Sequence, residues 1–96
     1  MKREDVVLVL SQYAAELKRL DVKALSLFGS AARGEAGPES DLDFLVEFNG
    51  PTKFAGFMDL KLLLEDTFGV KVDLATSAMI RPEIEAAVRR DLTRVA

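Results

Sequence analysis

Two aspartates one residue apart, Asp41 and Asp43, begin a segment in which apolar and polar residues alternate, DLDFLVEF. In an extended strand, residues i and i+2 lie on the same face, so both carboxylates would point in one direction. Neighbouring carboxylates oppose each other's ionisation unless a cation lies between them. Because the chain has no histidine and no cysteine, we expect a hard, oxygen-bound cation, magnesium or manganese rather than zinc.

A third aspartate, Asp73, lies in a second alternating segment, VKVDLA. If this strand lies beside the strand of Asp41 and Asp43, the Asp73 side chain has the correct parity to face the same way. Three carboxylates on adjacent strands could hold two divalent ions, which clamp the attacking and leaving oxygens of a phosphoryl group. Lys71 shares the same face, so an ion pair with Lys71 is the alternative role for Asp73.

The dipeptide Gly29-Ser30 follows a short apolar run, VKALSLF, and precedes a stretch that could form a brief helix capped by Ser30. A strand that turns into a helix directs free backbone N–H groups toward one point, which favours anion binding. Glycine allows a phosphate to approach closely, and the serine hydroxyl adds a donor. We therefore expect Gly29 and Ser30 to hold the tail of a triphosphate, with its α-phosphate near the metal ions.

Two further polar residues, Arg33 and Ser40, lie between the glycine turn and Asp41 and are counted as candidate nucleotide-binding residues. The planar guanidinium of Arg33 could contact a phosphate or pair with a nearby acid, and the sequence leaves both open. Ser40 is a turn-forming residue rather than a catalyst, since it ends the turn-rich segment GEAGPES.

Other phosphate and metal motifs do not fit. Gly29 and Gly34 have the glycine spacing of a P-loop, but Glu35 and Ala36 stand where lysine and serine or threonine are required. An EF-hand loop is excluded because apolar residues follow Asp43 at positions that must supply oxygen ligands or glycine. The glycine fingerprint of a dinucleotide-binding fold is absent.

The elements that position these residues can be predicted from periodicity. Strands are predicted at residues 22–28, 41–48 and 70–75, and a helix at residues 54–68 that Gly69 ends. A last helix begins at Pro82 and directs Ile84 and Val88 inward. An N-terminal amphipathic helix has its apolar side chains at Val6, Val7, Leu10, Tyr13, Ala14 and Leu17. With the brief helix after Ser30, the order αβαβαβα predicts an α/β domain.

The length, the composition and the net charge of the chain indicate one soluble domain over residues 1–96. Hydrophobic residues make up 49% and charged residues 30% of the 96, a globular balance. A net charge of −3 gives no basic surface for nucleic acid. No signal peptide is evident and no apolar run approaches the ~18 residues of a membrane span, so we expect a cytoplasmic protein without membrane contact.

The combination of Gly29-Ser30 with Asp41-x-Asp43, in the segment GSAARGEAGPESDLDFLVEF, resembles the nucleotidyltransferase motif of the DNA polymerase beta superfamily. The segment KVDLA downstream and the small size are similar to the minimal nucleotidyltransferases, the MNT or MntA-like antitoxins. The resemblance covers nearly the whole chain. It implies a small mixed sheet of three or more strands packed with helices.

The resemblance also implies an activity, which is nucleotidyl transfer from ATP with magnesium and release of pyrophosphate. Asp41, Asp43 and Asp73 would bind the metal, Asp73 would accept the proton of the attacking hydroxyl, and Gly29 and Ser30 would hold the β- and γ-phosphates. The implied partner is a HEPN ribonuclease toxin that is silenced by adenylylation of a tyrosine. A partner subunit or a second copy of the chain would complete the cleft.

Two other functions stay open at this point. The chain could neutralise its partner by binding alone, without catalysis, or it could transfer a nucleotidyl group to a small molecule. The small-molecule alternative lacks the acceptor domain that larger relatives carry.

Overall fold

A computed structural model describes residues 2–34, 37 and 41–96, and within them the strands form a four-stranded mixed sheet against which helices pack. The strands are β1 (Val22–Phe28), β2 (Leu42–Phe48), β3 (Val72–Ala75) and β4 (Thr93–Arg94). The helices are α1 (Arg3–Ser11), α2 (Ala14–Arg19), α3 (Gly29–Ala32), α4 (Phe54–Phe68) and α5 (Pro82–Asp91). A short 3₁₀ helix (Ser77–Met79) connects β3 to α5. The predicted α/β class is confirmed.

The sheet has the strand order β3-β2-β1-β4. Strand β1 is antiparallel to both β2 and β4, whereas β2 and β3 are parallel. Parallel neighbours need a long crossover connection, and α4 supplies it. Because β2 and β3 run in the same direction, the residues at their starts lie next to each other at one end of the sheet.

Alternation along β2 separates a core face from an exposed face. Leu42, Phe44 and Val46 are almost fully buried, and side chains of α4 cover them. The ring centroids of Phe44 and Phe68 are 6.0 Å apart at a tilt of 32°, within the range of favourable aromatic pairs. The odd-numbered residues of this strand therefore face away from the core, toward the side that carries the aspartates.

The N-terminal prediction of one continuous helix is wrong, because the chain is interrupted at Gln12 and Tyr13 between α1 and α2. Val6, Leu10 and Leu17 are buried as expected. Val7 is 43% exposed and Ala14 is also exposed, since two short helices present a narrower apolar face than one long helix.

The ends of the later helices are mostly as predicted. Gly69 ends α4 in the left-handed conformation, with φ +68°, and Pro82 is the first residue of α5. Val88 is buried, but the expectation that Ile84 points inward is wrong, because Ile84 is 49% exposed and lies outside the core cluster. Ser30 does not cap α3, which already begins at Gly29. No helix among the described residues is long and apolar enough to span a bilayer.

Candidate active site

Asp43 and Asp73 lie side by side on β2 and β3, as direct partners in the parallel register. Their side chains are on the same face of the sheet, close enough that the Asp73 carboxylate raises the pKa of Asp43. The predicted adjacency of these two strands is therefore confirmed. Two neighbouring carboxylates oppose each other's ionisation, and a cation between them relieves this repulsion.

The pKa of Asp43 is raised to about 6, well above its ordinary value. Burial makes the largest contribution, followed by the negative charge of Asp73 and the hydrogen bond between the two carboxyls. Asp41 adds a further repulsion, and Arg33 acts in the opposite direction. The site thus holds more negative charge than its own residues neutralise, which is the condition that a divalent cation relieves.

Asp41 lies just before β2 and is exposed to solvent. Its charge reaches Asp43, but among residues 2–34, 37 and 41–96 no group of three acidic side chains is arranged as a metal site. The expected three-carboxylate cluster is therefore present as a close pair, Asp43 and Asp73, with Asp41 at its edge.

Gly29 approaches Asp43 closely, because Phe28 is the register partner of Asp43 across the antiparallel strands. The glycine has φ +71°, and a methyl group on its Cα would lie 2.5 Å from Oδ2 of Asp43. Both the left-handed backbone conformation and the contact with Asp43 disfavour a larger residue at this position. The turn at Gly29 and the aspartate pair therefore form one site.

Ser30 and Arg33 also lie near this turn, and Ser40 falls outside the described residues. Ser30 is half-buried in the first turn of α3, and Arg33 directly follows that helix. The Nη1 atom of Arg33 donates to Oδ2 of Asp91 at 2.7 Å, so the structure shows the ion pair that the sequence left as one alternative for Arg33. Asp91 was missed because 58 residues separate the two.

A second residue missed at the sequence level is Glu65 of α4. Its Oε2 accepts a hydrogen bond from the backbone N–H of Val72 at 3.1 Å. Val72 is the first residue of β3 and precedes Asp73. Glu65 therefore fixes the start of the strand that brings Asp73 next to Asp43.

The residues present fit a magnesium ion. Mg²⁺ is usually bound through one or two carboxylates together with substrate phosphates, rather than by a complete cage of protein ligands. Asp43 and Asp73 supply two adjacent carboxylates, and the backbone of Gly29 lies directly against Asp43. The chain contains no histidine or cysteine, so oxygen is the available ligand type.

Known proteins match this chain in sequence over most of its length. A family model described as a nucleotidyltransferase domain matches residues 10–94. A Methanocaldococcus jannaschii protein, named as an inferred protein adenylyltransferase, is 40% identical over 91 residues, which are 91% of each chain. The protein adenylyltransferase MntA of Thermococcus cleftensis is 33% identical over 93 residues, covering 96% of this chain and 94% of the relative.

Solved structures with the same fold include one of a candidate minimal nucleotidyltransferase, with a TM-score of 0.79 and 32% identity. That match covers 97% of this chain and 95% of the other. A Shewanella oneidensis MNT antitoxin, solved in complex with a tri-AMPylated HEPN toxin, has a TM-score of 0.65 and 16% identity. It covers 93% of this chain and 70% of the other, and at this identity it shows the fold alone.

Proposed function

The chain belongs to the minimal nucleotidyltransferase (MNT) family, and we propose that it transfers AMP from ATP to a hydroxyl of a partner protein in a Mg²⁺-dependent reaction. The acceptor is a tyrosine of a HEPN ribonuclease toxin, so that the chain acts as an antitoxin. The observation that carries the proposal is the pairing of Asp43 with Asp73 beside the turn at Gly29.

The reaction is an in-line displacement at the α-phosphorus of ATP. The acceptor oxygen forms a new bond to this phosphorus, the bond to the oxygen bridging to the β-phosphate breaks, and pyrophosphate leaves. Asp73 takes the proton of the attacking hydroxyl. Gly29 and Ser30 hold the β- and γ-phosphates, which fixes the α-phosphate near the aspartates.

Asp43 and Asp73, with Asp41, would hold the metal. When bound, Mg²⁺ supplies positive charge that offsets the charge developing on the phosphoryl oxygens. The raised pKa of Asp43 supports this role, because a carboxyl that resists ionisation beside its neighbours gains from a cation.

The HEPN partner is inferred from relatives. The Shewanella oneidensis MNT antitoxin was solved with a tri-AMPylated HEPN toxin. The curated relatives that align with more than nine-tenths of this chain carry the name protein adenylyltransferase. Transfer to a protein hydroxyl is therefore better supported for this chain than transfer to a small molecule.

The test uses ATP radiolabelled at either the α- or the γ-phosphate, incubated with Mg²⁺, this protein and its HEPN partner. Label from the α position is expected on the partner, and label from the γ position is expected in pyrophosphate. Asp43→Asn and Asp41→Asn are expected to abolish the transfer. Glu47→Gln is the matched control, because Glu47 is an exposed acid farther along β2 that pairs with Lys23.

Two outcomes would overturn the proposal. A tight complex in which the partner carries no label would indicate inhibition by binding alone. Full labelling by both aspartate variants would show that these carboxylates are not required for the transfer.

A further inference from the structure

The C-terminal end of α5 contacts the residue that follows α3, Arg33. Asp91, the last residue of α5, accepts a hydrogen bond from Nη1 of Arg33 at 2.7 Å. The Asp91 side chain is 19% exposed and the Arg33 side chain 43%. This distance is at the short end for charge-assisted bonds, and the shielding of Asp91 from solvent strengthens the attraction.

The position of Arg33 connects this ion pair to the active site. Arg33 directly follows α3, and its backbone N–H donates to the carbonyl oxygen of Gly29 at 3.3 Å. Arg33 therefore places a cation at the end of the short helix that begins at Gly29, and Gly29 itself lies against Asp43.

We propose that Asp91 is a positioning residue that holds the Arg33 guanidinium beside the glycine turn, where this cation attracts the triphosphate of the incoming nucleotide. The ligand class is a nucleoside polyphosphate, whose negative charge adds to that of Asp43 and Asp73. Loss of the Asp91 carboxylate removes one of the contacts that fix the long arginine side chain, so its charge leaves this position for a larger part of the time. The inference rests on the proposed function for the identity of the nucleotide.

A second ion pair of α5 provides a matched control. Arg89 pairs with Glu85 one turn earlier in the same helix, at 2.9 Å, and both side chains are at least half exposed. This pair lies within α5 and does not reach α3. Glu85→Gln therefore removes a charge and an ion pair from the same helix without changing Arg33.

The experiment measures binding of a fluorescent ATP analogue in the presence of Mg²⁺, together with the thermal midpoint of each variant. Asp91→Asn is expected to raise the Kd about threefold, in line with a partly exposed ion pair, and Arg33→Gln about tenfold. Asp91→Glu is expected to recover most of the affinity. Glu85→Gln is expected to leave the Kd unchanged.

A variant with the two charges exchanged distinguishes two roles of the ion pair. In one role Asp91 positions the Arg33 guanidinium, and in the other the pair only holds α3 against α5. The double variant Arg33→Asp with Asp91→Arg keeps an ion pair between the two segments but places an acid beside Asp43. We expect its thermal midpoint to recover toward the wild-type value while its affinity for the analogue stays low.

Wild-type affinity in the exchanged variant, or an unchanged Kd in Asp91→Asn, would overturn the inference. The proposed function has a separate readout, which is AMP transfer to the partner. A wild-type protein that binds the analogue without transferring AMP contradicts the proposed reaction and still allows the role of Asp91 to be measured. A wild-type protein that does not bind the analogue overturns both.

Discussion

At Asp43, burial and the charges of Asp73 and Asp41 act together against ionisation and raise the pKa from 3.8 to about 6. The folded protein therefore binds this proton more tightly than the unfolded chain does. By linkage, the stabilising contribution of this proton is present below the unfolded pKa, is lost as the pH rises from about 4 through about 6, and stays lost at higher pH. The metal-free site is thus destabilised at neutral pH.

Replacement of Asp43 by asparagine should remove this pH dependence. Asparagine cannot ionise, so we expect Asp43→Asn to have a higher thermal midpoint than the wild type above pH 6 when Mg²⁺ is absent. The difference should shrink as the pH falls and disappear below about pH 3, where Asp43 is protonated in both states. Thermal unfolding across this pH range in a chelating buffer measures the effect. Parallel curves for the two proteins at every pH would contradict it.

At Gly29 the backbone lies so close to Asp43 that it limits the size of the residue at this position. Gly29→Ala should lose about a hundredfold in AMP transfer, because the added methyl displaces Asp43 and with it the reacting geometry. The left-handed conformation adds a stability cost of about 1–2 kcal/mol. Gly34→Ala is the matched control, since Gly34 has φ +75° and no atom of the described residues lies within 4 Å of an added methyl.

Gly34→Ala should therefore show a similar loss of stability with little loss of transfer. Kinetics of AMP transfer and chemical denaturation of both variants make the comparison. Equal losses of activity would mean that the contact between Gly29 and Asp43 has no special role.

At the level of elements, the start of β3 depends on Glu65 in α4. Strand β3 is at the edge of the sheet, and Glu65 accepts the N–H of Val72. Glu65→Ala should lower the free energy of unfolding by about 0.5–1.5 kcal/mol. It should also lower AMP transfer, because Asp73 is the next residue. Glu65→Gln keeps an oxygen acceptor and should lose less of both, and equal losses in the two variants would contradict the hydrogen bond as the cause.

Elements with strong local signals were predictable from the sequence. The apolar run before Gly29 predicted β1, and Gly69 and Pro82 predicted the end of α4 and the start of α5. The break between α1 and α2 contains no proline or glycine, so the sequence does not predict it. Strand β4 has two residues, too few for a period, and forms because β1 offers a free edge.

Across the whole molecule, the site combines residues that are far apart in sequence. The alternation in β2 and β3 predicted which face Asp43 and Asp73 occupy, because side-chain direction follows from strand parity. The neighbours of Arg33 and of the Val72 N–H could not be predicted in this way, since Asp91 and Glu65 reach them only through the packing of α5 and α4. The catalytic roles of Asp43 and Asp73 stay predictions.

The central claim is that Asp43 and Asp73 hold a divalent cation against the α-phosphate of ATP, next to the turn at Gly29. A crystal structure of the protein with Mn²⁺ and a non-hydrolysable ATP analogue tests it most directly, because the anomalous signal of manganese locates the cation independently of the model. We predict an anomalous peak in contact with both carboxylates and with the α-phosphate. A nucleotide bound with its metal away from this aspartate pair would contradict the account.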